Sequence, residues 1–201
     1  MTLELDAEQV AGLIFDCDGT LVDTAPLHYY AVSEALKKPG LAMDEDWYYE
    51  RVGLTPVALF DAFEEIVGPF DRQQLTADYK VVFQGSLARL EEIGIIADIA
   101  RRWKGIVPMA VGSNGERANV ETTLRAAGLL DLFDTIVVAA DVAQGKPAPD
   151  LFLEAARRLQ VPPERCVVFE DSNEGLEAAR HAGMDGRDIR LVFTPEWKKQ
   201  R

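Results

Sequence analysis

The sequence predicts an α/β fold, a parallel sheet with helices on both faces, interrupted near its start by a small helical insertion. Three observations predict it. Beyond about residue 94, short apolar runs alternate with helical stretches of about ten residues, the rhythm of βαβ units. Before that point roughly seventy residues carry helical spacing and no convincing strand. Ahead of both stands one isolated apolar run, Leu13-Ile14-Phe15, which needs the later strands as partners.

Residues 1–11 read as a lead-in. Leu13 to Phe15 follow Gly12 and end on an acid, as a buried central strand that delivers Asp16 at its carboxyl end. Asp23-Thr24-Ala25-Pro26 then opens a helix, with an N-cap candidate and proline in the first turn. Helical spacing runs from Pro26 to Lys38 and stops at Pro39-Gly40. It resumes from Glu45 to Val52 and from Pro56 to Val67, split by Gly53 and closed by Gly68-Pro69, and again from about Asp71 to Glu92. Residues 24–93 are therefore an inserted helical domain, or alternatively a helical face of the main one. After Gly94 come a helix from Ile95 to Lys104, a strand from Val107 to Val111, the turn Gly112-Ser113-Asn114-Gly115 and a helix to about Ala127. A strand from Thr135 to Ala139, a loop from Asp141 to Pro149 and a helix from Asp150 to Leu159 follow. A strand from Cys166 to Phe169, a helix through Ala182 and a final strand from Ile189 to Phe193 complete the pattern. Thr194 to Arg201 carries none and reads as frayed. The main domain is thus 1–23 with 94–201, in a Rossmann-like arrangement whose ligands bind beyond the carboxyl ends of the strands.

Composition narrows the function. Across 201 residues, 21 basic and 34 acidic side chains leave a formal net charge of −13, which speaks against a nucleic-acid backbone or an anionic membrane as partner. An anionic substrate would need a local cation, from metal or lysine. No apolar run approaches a membrane span, and Met1-Thr2-Leu3-Glu4-Leu5-Asp6 is acidic where a signal peptide is basic, so the expected location is the cytoplasm. Cys17 and Cys166 fall in predicted neighbouring strands but towards opposite ends, which argues against a disulfide. A monomer, or at most a weak dimer, is expected.

The polar residues fall at the strand ends. In Asp16-Cys17-Asp18-Gly19-Thr20, two carboxylates leaving a hydrophobic strand repel one another unless a cation, Mg²⁺ by its preference for oxygen ligands, neutralises them. Gly19 allows a turn that curls the backbone around a small anion. Taken alone, the stretch also reads as an N-cap acid before a turn. Ser113-Asn114 ends the second strand, where a hydroxyl and a helix N-terminus can meet a phosphate, or simply cap a helix. Lys146, in Gly145-Lys146-Pro147-Ala148-Pro149-Asp150, stands on a segment stiffened by prolines; such a lysine suits a transferring phosphoryl group, though alone it is one surface cation among many. Glu170-Asp171 after Val167-Val168-Phe169 repeats the costly acid placement and supplies further carboxylates for a metal, or marks a helix start. Jointly these positions converge on one edge of the sheet.

Asp16-Cys17-Asp18-Gly19-Thr20 resembles motif I of the haloacid dehalogenase-like superfamily. Ser113 resembles its motif II, Lys146 within Lys-Pro-Ala-Pro-Asp motif III, and Glu170-Asp171-Ser172 with Gly175 motif IV. The resemblance covers nearly the whole chain and is greatest to the β-phosphoglucomutase-like branch, whose helical cap the insertion resembles. It implies that Asp16 is a nucleophile forming an aspartyl phosphate, and that Asp18 protonates the leaving alcohol and then activates water. It further implies that Gly19, Thr20, Ser113, Asn114 and Lys146 bind the phosphoryl group, and that Asp16, Asp18 through its carbonyl, Glu170 and Asp171 bind Mg²⁺ or its waters. The implied partner is a small phosphorylated metabolite. Asp18 and Asp171 argue against dehalogenation, which needs neither.

Mutases of this branch carry a cap arginine shortly after a glycine. Val52-Gly53-Leu54-Thr55-Pro56-Val57-Ala58 has none, although Arg51 precedes the glycine, and Thr20 is the phosphatase-like choice. Hydrolysis is therefore favoured, with mutase chemistry as the alternative. Gly53-Leu54-Thr55-Pro56 and Pro108-Met109-Ala110-Val111-Gly112 resemble phosphatases of fructose 1-phosphate or 6-phosphogluconate. His28, Arg51 and Lys80 are the cap candidates for contact with a sugar, and His28 reads equally well as a helix-surface residue. A phosphonatase would need a cap lysine, Lys37 or Lys38, and a non-catalytic metal-binding protein is the remaining reading. Cap closure is expected about hinges near Asp23 to Ala25 and Glu92 to Ile95.

Overall fold

The computed structural model describes residues 5–6, 8–54 and 56–199. The acidic start at residues 1–4, Thr55 of the insertion and the final residues 200–201 lie outside them. In chain order the elements are β1 (Gly12–Phe15), β2 (Val22–Asp23), α1 (Ala25–Lys37), α2 (Glu45–Tyr49), α3 (Pro56–Val67), α4 (Arg72–Gly85), β3 (Glu91–Glu92) and α5 (Gly94–Trp103). Then follow β4 (Met109–Ser113), α6 (Arg117–Ala126), β5 (Thr135–Val138), α7 (Asp150–Leu159), β6 (Cys166–Glu170), α8 (Asn173–His181), β7 (Asp185–Asp188) and α9 (Glu196–Lys199). The chain divides into two compact units, Met1–Asp23 with Leu90–Arg201, and Thr24–Arg89.

In the first unit β5-β4-β1-β6-β7 form a sheet in that order, every neighbouring pair parallel. Successive side chains of β1 point to opposite faces, and both faces are covered. Leu13 and Phe15 pack with Ile96, Ala97 and Ala100 of α5 and with Val120 and Leu124 of α6. Ile14 packs on the other side with Leu151, Phe152 and Ala155 of α7 and Ala178 and Ala179 of α8. Burial on both sides explains why β1 is apolar without alternation. Phe15 stacks on Phe169 of β6 with ring centroids 4.9 Å apart, and burying each ring stabilises the unit by about 1.5–3 kcal/mol.

Contact between β4 and α7 depends on a missing side chain. A Cβ on Gly112 would lie 2.6 Å from Leu151 Cδ2 and 3.0 Å from Phe152 Cε1. Gly112→Ala is therefore expected to destabilise the protein by about 1–3 kcal/mol through overpacking. Chemical denaturation checks this, and an unchanged midpoint would show that α7 yields without strain.

Three sequence expectations are corrected. Helical spacing read as far as Glu92 breaks at Gly85; Glu91–Glu92 instead pair antiparallel with Val22–Asp23, and the Ile93 N–H donates to the Leu21 carbonyl at 2.9 Å. Leu90 to Ile93 accordingly belong with the first unit. The final strand is Asp185–Asp188, not Ile189 to Phe193, whose start is a 3-10 turn carrying the buried Ile189. An edge strand with the sequence Asp-Gly-Arg-Asp offers no apolar run, so the nearby Ile189, Leu191, Val192 and Phe193 mislead. The tail is not patternless: α9 carries Trp197, whose indole N–H donates to both carboxylate oxygens of Asp23 at 3.1 Å. A single aromatic anchor leaves no periodicity to read.

At the other edge of the sheet, the Ile136 carbonyl of β5 accepts hydrogen bonds from Arg117 of α6 at 3.2 Å and Arg158 of α7 at 3.1 Å. Asp141 holds both arginines, at 2.6 and 3.3 Å.

The second unit is built on α1 packed against α4, with Leu27, Ala31, Val32, Leu36, Leu75 and Phe83 among its buried residues. Asp44 and Asp71 cap α2 and α4 by accepting the Trp47 and Gln74 N–H groups at 2.9 Å, each such cap contributing about 1 kcal/mol. Among the described residues no helix is long and apolar enough to cross a membrane.

Candidate active site

Parallel register brings three strand ends side by side, since Phe15 pairs with Val111 of β4 and with Phe169 of β6. The residues that follow are polar. Asp16 continues the ladder, its N–H donating to the Phe169 carbonyl at 3.0 Å, and its side chain is buried. Asp18 is exposed. Between the acids and β2 the chain turns at Gly19, φ +88°, with its N–H donating to the Val22 carbonyl at 2.8 Å. Glycine is required there twice: the positive φ strains other residues, and a Cβ would lie 2.5 Å from Asp171 Oδ2. The fully buried Thr20 hydroxyl donates to Asp171 Oδ1 at 3.1 Å.

Lys146 arrives from the loop after β5. Its ammonium donates to Asp16 Oδ1 at 2.6 Å and to Glu170 Oε1 at 2.5 Å, and lies 5.0 Å from the centre of the Phe152 ring. Its side chain is only 4% exposed, so the lysine is a built-in countercharge and not a surface cation. Glu170 turns its other oxygen back to Ser172, accepting from the N–H at 2.9 Å and the hydroxyl at 2.8 Å. Gly175 makes room for this, because the Glu170 carboxylate fills the space that a Cβ there would need. Ser113 is buried, and its hydroxyl oxygen accepts the Gly115 N–H at 3.0 Å. A Cβ on Gly115 would lie 3.2 Å from Ser113 Oγ and 3.7 Å from Asp18 Oδ2, so Asp18 faces the turn after β4. Asn114 in that turn bonds the Lys146 peptide through its side-chain amide.

Electrostatics at these strand ends are unbalanced. Burial raises the Asp16 carboxyl well above its ordinary range against the pull of Lys146, with Glu170, Asp171 and Asp18 adding to the rise. Burial, with Glu170 beside it, pushes Asp171 up to about 6. Burial alone would lower the Lys146 ammonium, but Asp16 and Glu170 more than offset this and hold it above its usual value. Oxygens of Asp16, Glu170 and Asp171 lie within 4.8 Å of one another. One lysine against three carboxylates leaves two formal negative charges, which a divalent cation would neutralise. All the donors are hard oxygens, the set that suits Mg²⁺. Cys17 and Cys166 are free thiols; burial raises the first well above its ordinary value and the second to about 11, so neither is a nucleophile here.

The three cap candidates, His28, Arg51 and Lys80, all lie in the second unit. His28 Nδ1 is hydrogen-bonded to the Tyr79 hydroxyl at 2.5 Å, and its ring stacks on Phe83 at 4.9 Å. Arg51 donates to the Trp47 carbonyl at 2.9 Å, and its guanidinium lies 4.2 Å from the centre of the Trp47 ring. These contacts pack His28 and Arg51 within their own unit. Sequence reasoning gave Phe152 and Gly145 no part in the cluster, and named Ser172 within motif IV without its hydroxyl's bond to Glu170. Adjacency to Lys146 could have flagged Gly145, whereas nothing local marks Phe152.

A parallel sheet that gathers buried carboxylates and a buried lysine at the carboxyl ends of its strands, with a helical unit inserted after the first strand, defines an α/β enzyme. A family model described as hydrolase, haloacid dehalogenase-like hydrolase, matches residues 10–183. Fructose-1-phosphate phosphatase YqaB of Escherichia coli is 40% identical over 186 residues, covering 92% of this chain and 99% of that one. β-Phosphoglucomutase of Bacillus subtilis is 28% identical, covering 86% of this chain and 80% of that one. The crystal structure of CbbY from Rhodobacter sphaeroides in complex with phosphate superposes with a TM-score of 0.74 at 31% identity, over 88% of this chain and 84% of that one. The chain belongs to the haloacid dehalogenase-like hydrolase family.

Proposed function

We propose that this hydrolase is a Mg²⁺-dependent phosphatase that cleaves small sugar phosphates through an aspartyl phosphate. The observation that carries the reading is the pairing of two acids with opposite surroundings. Asp16 is buried against Lys146, while Asp18, two residues on, is exposed and faces the Ser113 turn. A buried, lysine-paired carboxylate suits attack on phosphorus, and an exposed one suits exchange of protons with an alcohol or water.

In the first step an Asp16 oxygen forms a bond to phosphorus as the bond to the sugar oxygen breaks, and Asp18 gives its proton to that oxygen. In the second, Asp18 takes a proton from water, the water oxygen bonds to phosphorus, and the bond to Asp16 breaks, restoring the carboxylate. Lys146 and the Ser113 hydroxyl would stabilise the equatorial oxygens in both steps. Gly19 and Thr20 shape the turn, with Thr20 orienting Asp171. Asp16, Asp171 and the Asp18 carbonyl would hold Mg²⁺, with Glu170, already engaged by Lys146 and Ser172, acting from behind. Bound there, Mg²⁺ supplies charge neutralisation for the attacking carboxylate and the transferring phosphoryl group.

The similarity to YqaB, which spans nearly all of that chain, supports a sugar phosphate as substrate. The net charge of −13 supports a small metabolite as partner, neither nucleic acid nor membrane, and we assign the activity to the cytoplasm. Mutase chemistry is the second reading, favoured by the similarity to β-phosphoglucomutase. Against it stand the absence of arginine from residues 52–58 and the engagement of Arg51 with Trp47.

The test is phosphate release from a panel of hexose and pentose phosphates with and without Mg²⁺, including β-glucose 1-phosphate with a trace of glucose 1,6-bisphosphate. Metal-dependent release, with fructose 1-phosphate among the better substrates, is expected. Conversion to glucose 6-phosphate with little free phosphate would establish the mutase instead.

A further inference from the structure

We propose that Asn114 is a positioning residue whose side-chain amide clamps the Lys146 peptide and thereby sets the lysine's ammonium between Asp16 and Glu170. Asn114 Oδ1 accepts the Lys146 N–H at 2.9 Å, and Asn114 Nδ2 donates to the Lys146 carbonyl at 3.2 Å. Two antiparallel bonds to the two polar groups of one residue fix the position and the direction of its backbone, as a step of β-ladder does. The loop needs such a restraint, because Ala143 and Gln144 ahead of Lys146 are exposed. At its far end the ammonium must meet two oxygens at 2.6 and 2.5 Å. A long side chain reaches that geometry reproducibly only when its root is fixed.

Space for the clamp is reserved. A Cβ on Gly145 would lie 2.5 Å from Asn114 Oδ1, so glycine before the lysine is what lets the amide dock. Asn114 also follows Ser113 directly, which ties the lysine loop to the turn carrying the buried hydroxyl. The clamp is thus a cross-link between two of the strand-end segments, built from a residue whose oxygen and nitrogen both bond the chain itself.

The catalytic part of this inference rests on the phosphatase reading; the positional part does not, and the experiment separates them. Acetylation of Lys146 by acetic anhydride in the metal-free protein, followed by peptide mass spectrometry, is expected to run several-fold faster in both Asn114→Ala and Gly145→Ala than in the wild type. Unchanged labelling in both variants would overturn the clamp. In turnover, Asn114→Ala is expected to lower kcat about tenfold with little change in KM, and that loss is expected to vanish when Lys146 is already alanine. Losses that add in the double variant would overturn the proposal, because a residue acting on substrate or on the fold as a whole costs as much without Lys146 as with it. A wild-type chain that releases phosphate from no ester would remove the proposed function and leave the labelling comparison to decide the clamp.

Discussion

Asp16→Asn is expected to abolish phosphate release, by about 10⁴-fold or more, in a protein that still folds. The amide has nearly the shape of the carboxylate and keeps an oxygen for the Lys146 ammonium, but it cannot form the bond to phosphorus that a carboxylate forms. Folding should not suffer. Asp16 sits where burial and the nearby Glu170, Asp171 and Asp18 all disfavour its charge, so the substitution relieves repulsion while leaving the backbone bond to Phe169 in place. Thermal unfolding at or above the wild-type midpoint, together with lost turnover, is the expected pair of results. An active, folded Asp16→Asn protein would eliminate covalent catalysis.

Asp18→Asn is expected to fail differently. Its kcat should fall by about 10²–10⁴-fold, the usual worth of a general acid and base, and the enzyme should stall part-way. A phenolic ester such as p-nitrophenyl phosphate needs no proton on its leaving group, so attack by Asp16 would still proceed. Hydrolysis of the aspartyl phosphate, which needs a base for water, would not keep pace. Rapid acid quenching with labelled substrate should therefore trap phosphorus on the protein. If none accumulates while turnover is slow, Asp18 does not serve the second step. Because Asp18 is exposed, its replacement should leave stability nearly unchanged, which separates this variant from a folding defect.

How much of this was legible beforehand follows from what leaves a local signature. The sheet was, because its central strands are buried on both faces and their apolar runs stop abruptly at Asp16, Ser113 and Glu170. The same abruptness exposed the acids. What stayed hidden depends on contacts between distant segments. Lys146 reads as a stiffened cation, but its division between Asp16 and Glu170 spans 130 and 24 residues of sequence. Phe152 reads only as a core aromatic, and its ring beside the ammonium comes from packing. β7 was misplaced because a polar edge strand draws its stability from pairing with β6 and not from burial of its own side chains. β2 and β3, at two residues each, are too short for any period. His28 and Arg51 show the opposite limit: their packing against Phe83 and Trp47 leaves no mark in the sequence that would set it apart from a ligand contact.

The two arginines that α6 and α7 hold against β5 bear on how this protein behaves when concentrated. A sheet with free edges can recruit a strand from another molecule, the first step towards aggregates. At β5 the Ile136 carbonyl that an incoming strand would need is taken by Arg117 and Arg158, which Asp141 holds in place. At the opposite edge, β7 presents Asp185, Arg187 and Asp188, charges that an approaching strand would have to strip of water. Growth of the sheet from one molecule into the next is thus opposed at both ends, by side chains whose value to the isolated molecule is small.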